Sequence, residues 1–208
     1  MANDELTPET ATQPRQRLLE AALVEFADHG FDATSTRDIC KRAGMNVAAI
    51  NYYFRDKEAL YVEAVKLAHT CSSQPIPEVP PGTPPKTQLV QFIRGMAAQM
   101  HTPTSLAAMQ LMMREMAHPG KAGHVIVDEF IRPMAFRLRD ILAALLPDVS
   151  ESRRLMIGFS VIGQLLFYRQ NRPVCELIFG KDAVNALTVD MVTEHVTAFT
   201  LAALKGVR

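Results

Sequence analysis

The chain has no tryptophan, and aromatic residues make up only 7% of its 208 positions. Its apolar content is carried by Ala, Leu and Met, which favour helices. Val, Ile and Thr never alternate strictly with polar residues over any length, so little or no sheet is expected. The three cysteines, Cys40, Cys71 and Cys175, are odd in number and form no CxxC spacing. Neither a disulfide framework nor a zinc cluster is indicated. His118 and His124 are close in sequence but have no Cys or carboxylate constellation around them, and no metal or cofactor is expected. GxSxG, P-loop and HExxH stretches are all missing, which argues against an enzyme. No apolar run reaches the length of a membrane span. Residues 1–13 have no signal-peptide core, so a soluble cytoplasmic protein without a membrane partner is expected. Formal net charge is zero, so the global basic excess common among nucleic-acid binders is missing too.

The charges that are present are unevenly placed. Between residues 34 and 57, five basic side chains (Arg37, Lys41, Arg42, Arg55, Lys57) face two acidic ones, Asp38 and Asp56. The same stretch carries dense helix punctuation. After a polar tail, 1–13, expected to be disordered, Pro14 suits a helix first turn. Leu19, Ala22, Leu23, Phe26 and Ala27 then form one apolar face. Gly30 is placed to end this helix, predicted over 14–29. Ser35 and Asp38 match a capping box for a short helix over 36–43, which Gly44 ends. Asn46 is placed to cap a helix over 47–53, and Asp56 one over 57–71. Two short helices around a tight glycine turn are the pattern of a helix-turn-helix.

Residues 72–85 hold six of the thirteen prolines and Gly82, and read as a linker between a 14–71 domain and an 86–208 domain. In the latter, helices are predicted over 86–101, from Thr102-Pro103 to 117, over 122–146 with a possible kink at Pro133, over 151–170 capped by Ser150, over 173–178, and over 189–205 capped by Thr188. The expected fold is all-α. A three-helix helix-turn-helix is joined through a fourth helix to a helical second half, with about nine helices in all.

The stretch from Gly30 to Leu60 resembles the DNA-binding domain of the TetR family. The resemblance is carried by Gly30-Phe31, Thr34-Ser35, Ile39, Ala43-Gly44, Ile50, Tyr53-Phe54 and Lys57-Glu58-x-Leu60, in family register across residues 15–68. Independently, Ile50 and Phe54 can pack inward on the 47–53 helix, leaving Val47, Ala48, Asn51 and Tyr52 outside. Small residues there let a backbone approach base edges, Asn51 suits adenine, and Val47 or Ala48 suits a thymine methyl. The resemblance adds Arg37 as a guanine reader and Thr36, Tyr52, Tyr53 and Lys57 as phosphate anchors. Asn46 and Ala49 complete the expected DNA-binding set. A phosphate at the start of the fourth helix would also explain a lysine where the helix dipole disfavours one. Idle-surface readings of Asn51 and Lys57, and a core reading of Tyr53, stand beside these roles.

The second half resembles the CecR (YbiH-like) subgroup through Met112–Pro119, Ile131-Arg132-Pro133 and the run from Val161 to Arg169. The kinship implies a ligand-binding and dimerisation domain, and control of transport or drug-sensitivity genes. A homodimer is expected, because two recognition helices must reach successive major grooves roughly 34–36 Å apart. Phe159, Ile162 and Leu166 with Met191, His195 and Phe199 are its candidate seam, and Gly158 and Gly163 allow close approach. Methionines concentrated over 96–134 suit either an adaptable apolar pocket or plain core filling. Met100, Met113, Arg114, His118, Phe130, Gln164 and Tyr168 are the candidate ligand contacts. The leading expectation is a repressor released from a pseudo-palindromic operator by a small-molecule effector. An activator, a helical protein-interaction module, and an enzyme with a relic DNA-binding domain are the alternatives.

Overall fold

A computed structural model describes the backbone of residues 8–71 and 76–206, and side chains from residue 13 onward. Among these residues there are twelve α-helices, one π-helical segment and no strand. The helices are α1 (Pro8–Ala33), α2 (Thr36–Ala43), α3 (Ala48–Phe54), α4 (Lys57–Thr70), α5 (Pro85–His101), α6 (Leu106–Ala117) and α7 (Lys121–Ile126). The π-helical segment Val127–Ile131 follows, and then come α8 (Arg132–Leu145), α9 (Glu151–Gln170), α10 (Arg172–Phe179), α11 (Lys181–Asn185) and α12 (Val189–Lys205). The fold class is therefore all-α, as the absence of period-2 patterning predicts.

The helices form two compact units. In the first, α1 packs on α2, α4 and α6, and α4 also packs on α3, α6 and α7. Leu18, Phe26, Ile39, Ile50, Leu60 and Ile126 are fully buried there. Each such side chain contributes roughly 1.5–3 kcal/mol of hydrophobic stabilisation. In the second unit α5 packs on α8, α9 and α12, around a core that includes Leu89, Phe92, Ile93, Leu142, Val161, Leu165 and Val196. The units do not follow a cut at the proline-rich segment, because Thr104–Phe130 belongs with the N-terminal helices.

Several local expectations are corrected. Pro14 lies inside α1, which already begins at Pro8; of the tail expected to be disordered, residues 8–13 are helical and 1–7 lie outside the described residues. Gly30 does break α1, with φ 80° and ψ 174°, but helical turns resume as far as Ala33. Of the expected linker, residues 72–75 lie outside the described residues and Pro85 already starts α5. Thr102 does not open α6. Its hydroxyl donates to the Ala98 carbonyl 3.1 Å away at the end of α5, and Ser105 caps α6 by accepting from the Ala108 N–H at 3.1 Å. The predicted 122–146 helix is interrupted by the π-helical segment, and Pro133 follows directly on that segment in the first turn of α8. Ser150 stands at the N-cap of α9 without capping it by its side chain; its hydroxyl lies 3.3 Å from that of Ser152. Thr188 does cap α12, accepting from the Met191 N–H at 3.3 Å.

Candidate nucleic-acid interface

The first unit builds a rigid frame around α2 and α3. Ser35 caps α2, its Oγ accepting from the Asp38 N–H at 3.1 Å. Asp38 does not return to the N-cap backbone as a full capping box would; its carboxylate accepts from the Ser35 hydroxyl instead. Gly44 closes the helix in the left-handed conformation, φ 66° and ψ 38°. Asn46 Oδ1 accepts from the Ala48 N–H at 3.0 Å, starting α3. Asp56 Oδ1 accepts from the Ala59 N–H at 2.8 Å, starting α4. That backbone hydrogen bond, with the Arg55 side chain, holds the Asp56 carboxyl below its usual range.

On α3, Ile50 and Phe54 are buried, while Asn51 and Tyr52 are exposed and Tyr53 and Ala49 are half-buried. Tyr52 is 79% exposed, an unusual position for a large aromatic side chain. It meets Tyr53 edge to face at 4.8 Å. Asn46, Val47 and Ala48 are exposed at the start of the helix. On α2, Arg37 is exposed and Thr36 half-buried. Lys57 Nζ lies 4.5 Å from the centroid of the Phe31 ring. One continuous stretch of chain thus presents small, amide, aromatic and cationic groups outward from a short helix whose other face is core. Cys40 lies in that core, where burial raises its thiol pKa and favours the neutral form.

The residues that hold this frame include several not singled out from the sequence. Glu25, buried on α1, accepts from Arg42 Nε at 2.6 Å, tying α1 to α2. The buried Thr34 hydroxyl lies 2.6 Å from the Gly30 carbonyl oxygen and 3.0 Å from that of Glu25. Arg15 pairs with Glu63 at 3.1 Å and lies 4.7 Å over the Phe54 ring. Glu25 carries a sequence signal only as a polar residue within an apolar helix, and Thr34 only as part of the family pattern. Their partners follow from the tertiary fold.

The candidate ligand residues divide between the units. In the first, the Phe130 ring meets His69 at 4.3 Å, tilted by 41°. The Arg114 guanidinium turns to the Ala27 carbonyl at 3.4 Å, while Met113 and His118 are exposed. In the second, Met100 and Tyr168 pack at the edge of the core, and Gln164 Nε2 donates to the Ser160 carbonyl at 3.1 Å. Of the candidate seam, Phe159, Met191 and Phe199 are more than half exposed, His195 is exposed, and Ile162 and Leu166 are half-buried. Gly158 serves a different contact from the one expected: it is buried against Leu142 and Leu138 of α8, whereas Gly163 opens outward. Among the described residues no helix is long and apolar enough to cross a membrane.

Comparison with known proteins gives two family matches. Residues 18–64 match the bacterial regulatory proteins of the tetR family. Residues 85–204 match the C-terminal domain of the HTH-type transcriptional dual regulator CecR. The chain is similar to that regulator from Shigella flexneri, 26% identical over 93% of this chain and 92% of the relative. It is 36% identical over 64 residues to the HTH-type transcriptional repressor KstR2 of Mycolicibacterium smegmatis, covering 29% of this chain and 31% of that one. A putative transcriptional regulator from Pseudomonas aeruginosa PAO1 shares the fold, with a TM-score of 0.62 at 21% identity over 98% of this chain and 97% of the other.

Proposed function

The chain belongs to the TetR family of DNA-binding transcriptional regulators, with a CecR-type C-terminal domain, and from that premise we propose that it is a homodimeric repressor released from a pseudo-palindromic operator by a small-molecule effector. The observation that carries the reading is the outward face of α3. An amide, small apolar groups and a 79% exposed tyrosine stand opposite a fully apolar buried face. Such a rod suits the major groove, which distinguishes all four base pairs. Asn51 and Arg37 read bases, while Val47, Ala48 and Ala49 line the groove. Thr36, Tyr52, Tyr53 and Lys57 fix the register on phosphates, which carries little sequence information, and Asn46 stands with them at the start of α3.

The dimer uses the outward sides of α9 and α12, through Phe159, Ile162, Leu166, Met191, His195 and Phe199. The effector is an apolar small molecule taken up beyond the proline-rich segment; Met113, Arg114, His118 and Phe130 in the first unit, and Met100, Gln164 and Tyr168 in the second, are two separate groups to test for contact. Since α6 and α7 both pack on α4, a ligand that biases either helix acts on the recognition module. It must favour the form that does not fit DNA, because equal affinity for both forms shifts nothing. The protein is proposed to work in the cytoplasm, and kinship alone suggests transport or drug-sensitivity genes as targets. A second reading, activation at some sites, is favoured by the name of the relative spanning nearly the whole chain, a dual regulator.

Selection of bound sites from random duplex DNA tests the core of this reading. A two-fold related sequence is expected. Asn51→Ala and Arg37→Ala should relax preference at defined positions. If Asn51→Ala leaves the selected sequence unchanged, Asn51 does not read a base. If no sequence is enriched, operator recognition itself fails.

A further inference from the structure

We propose that α10 is an outer arm of the subunit interface, laying Val174, Leu177, Ile178 and Phe179 against a second copy of this chain; the inference rests on the homodimer reading above and extends it. The helix is short, and its outward face is apolar. Leu177 is 87% exposed, Phe179 69% and Ile178 65%. Its polar groups are spent internally. Arg172 Nε pairs with Glu176 at 2.9 Å, and Arg172 also donates to Asn185 of α11. These contacts brace the helix from its polar side. They leave an uncharged row of large side chains in water, an arrangement that marks a contact surface.

Continuity points to the occupant. The exposed row of α9 runs through Phe159, Gly163 and Phe167 at intervals of four residues. Backbone hydrogen bonds carry the chain over the junction, from the Asn171 N–H to the Phe167 carbonyl at 3.0 Å and from the Cys175 N–H to the Asn171 carbonyl at 2.9 Å. Steps of four from Phe167 fall on the half-buried Asn171 and Cys175, and the exposed Val174, Leu177 and Ile178 follow on the next helix, directly after this junction. A would-be Cβ at Gly163 meets nothing within 4 Å, so the row also contains a notch into which a facing side chain can fit.

Area gives the second argument. Six large apolar side chains stand exposed on α9 and α12: Leu155, Met156, Phe159, Phe167, Met191 and Phe199. At about 100 Å² each they offer on the order of 600 Å² of apolar surface, comparable with the apolar share of a standard interface of roughly 800 Å² per partner. The four side chains of α10 raise this to on the order of 1,000 Å². A two-fold interface presents the same patch on both subunits. An apolar, nearly uncharged row meeting its own copy incurs no like-charge penalty.

Sedimentation equilibrium of the full chain tests the arm. Leu177→Glu combined with Phe179→Glu should raise the dimer dissociation constant about tenfold or more, with helical content unchanged, and Phe159→Glu should give monomer. In the unaltered protein, amide exchange in α10 should slow as concentration rises through the dissociation constant. If the double variant dimerises like the unaltered chain and α10 exchange is independent of concentration, while Phe159→Glu is monomeric, the arm is overturned and the dimer reading stands. If Phe159→Glu also dimerises normally, both are lost. Should the double variant lose helicity, the exchange measurement alone decides.

Discussion

Tyr61 of α4 donates its hydroxyl to the carboxylate of Glu115 on α6, and both residues are buried. The other carboxylate oxygen accepts from the N–H groups of Gly123 at 2.7 Å and Gly120 at 3.2 Å. One side chain of α6 thus satisfies the start of α7 and a tyrosine on α4 together. With the burial of Leu111 and Ile126, this holds α6 and α7 against the N-terminal helices. Glu115→Ala would leave a phenol and at least one buried N–H without partners, and should cost about 3 kcal/mol. Tyr61→Phe should cost about 2 kcal/mol, as for a hydrogen bond to a charged group. Chemical denaturation of both single variants and the double one checks this. Strictly additive losses would show that the two residues do not act as a unit.

The same pair makes a pH prediction. Burial first, and the neighbouring carboxylate second, hold the Tyr61 phenol well above its usual value of about 10. The folded chain therefore keeps a proton that the unfolded chain gives up. The associated stability is complete below about pH 10 and is lost as pH rises from there towards the folded value. Denaturation midpoints followed from about pH 9 to about pH 11.5 should fall more steeply in the unaltered protein than in Tyr61→Phe. Parallel curves would exclude a buried, raised phenol.

Glu25 and Arg42 form the tie between α1 and α2, at 2.6 Å, with Glu25 far more buried than its partner. His29 Nε2 lies 3.7 Å from the second oxygen of Glu25. Removing the arginine strands a carboxylate, whereas removing both removes the problem. Arg42→Ala should therefore destabilise by roughly 1–2 kcal/mol, reduced from the buried-pair value because Arg42 is partly solvated. Adding Glu25→Leu should recover part of that. A double variant less stable than Arg42→Ala would contradict this account.

What the sequence reveals here follows from the range of each interaction. Ser35, Gly44, Asn46, Asp56 and Thr188 act on backbone groups within a few residues, so their roles are readable from order alone. The inward placement of Ile50 and Phe54 follows from helical period. Glu115 is different: it stands in α6 as one more good helix former, and only the approach of Tyr61 and Gly123 gives it its role. Ser105, not Thr102, caps α6, and the Thr102 hydroxyl donates to the preceding helix. The π-helical segment lies just before Pro133, where the sequence places a kink, whereas no periodicity announces the short α11. The ligand residues read as one group because methionines cluster in sequence, yet they fall in two units.

Gly30 and Gly44 both have positive φ, but for different reasons. At Gly44, φ 66° and ψ 38° is the ordinary left-handed cap, and an added Cβ meets nothing within 4 Å. Gly44→Ala should cost about 1 kcal/mol, from backbone alone. At Gly30, φ 80° with ψ 174° lies where almost only glycine is found, and a Cβ would overlap the Arg114 guanidinium. Gly30→Ala should cost roughly 3 kcal/mol. Thermal unfolding of both variants compares them directly. Equal losses would mean that the backbone at Gly30 relaxes freely.

Lys57 has two possible employments, and a pair of variants separates them. Its ammonium sits over the Phe31 ring at 4.5 Å, a contact worth about 0.5–1 kcal/mol when partly exposed. It also opens α4, where a docked phosphate would face both the cation and the helix N-terminus. As a phosphate anchor, Lys57→Ala should weaken binding to every duplex alike and lower the salt slope of log affinity by about one. Phe31→Leu removes the ring and keeps the charge, so it should lower stability while leaving that slope intact. DNA affinities across a salt series, with unfolding curves alongside, read both quantities. A Lys57→Ala protein that loses stability as Phe31→Leu does, yet keeps the full salt slope, would assign the lysine to the frame and remove it from the DNA contact.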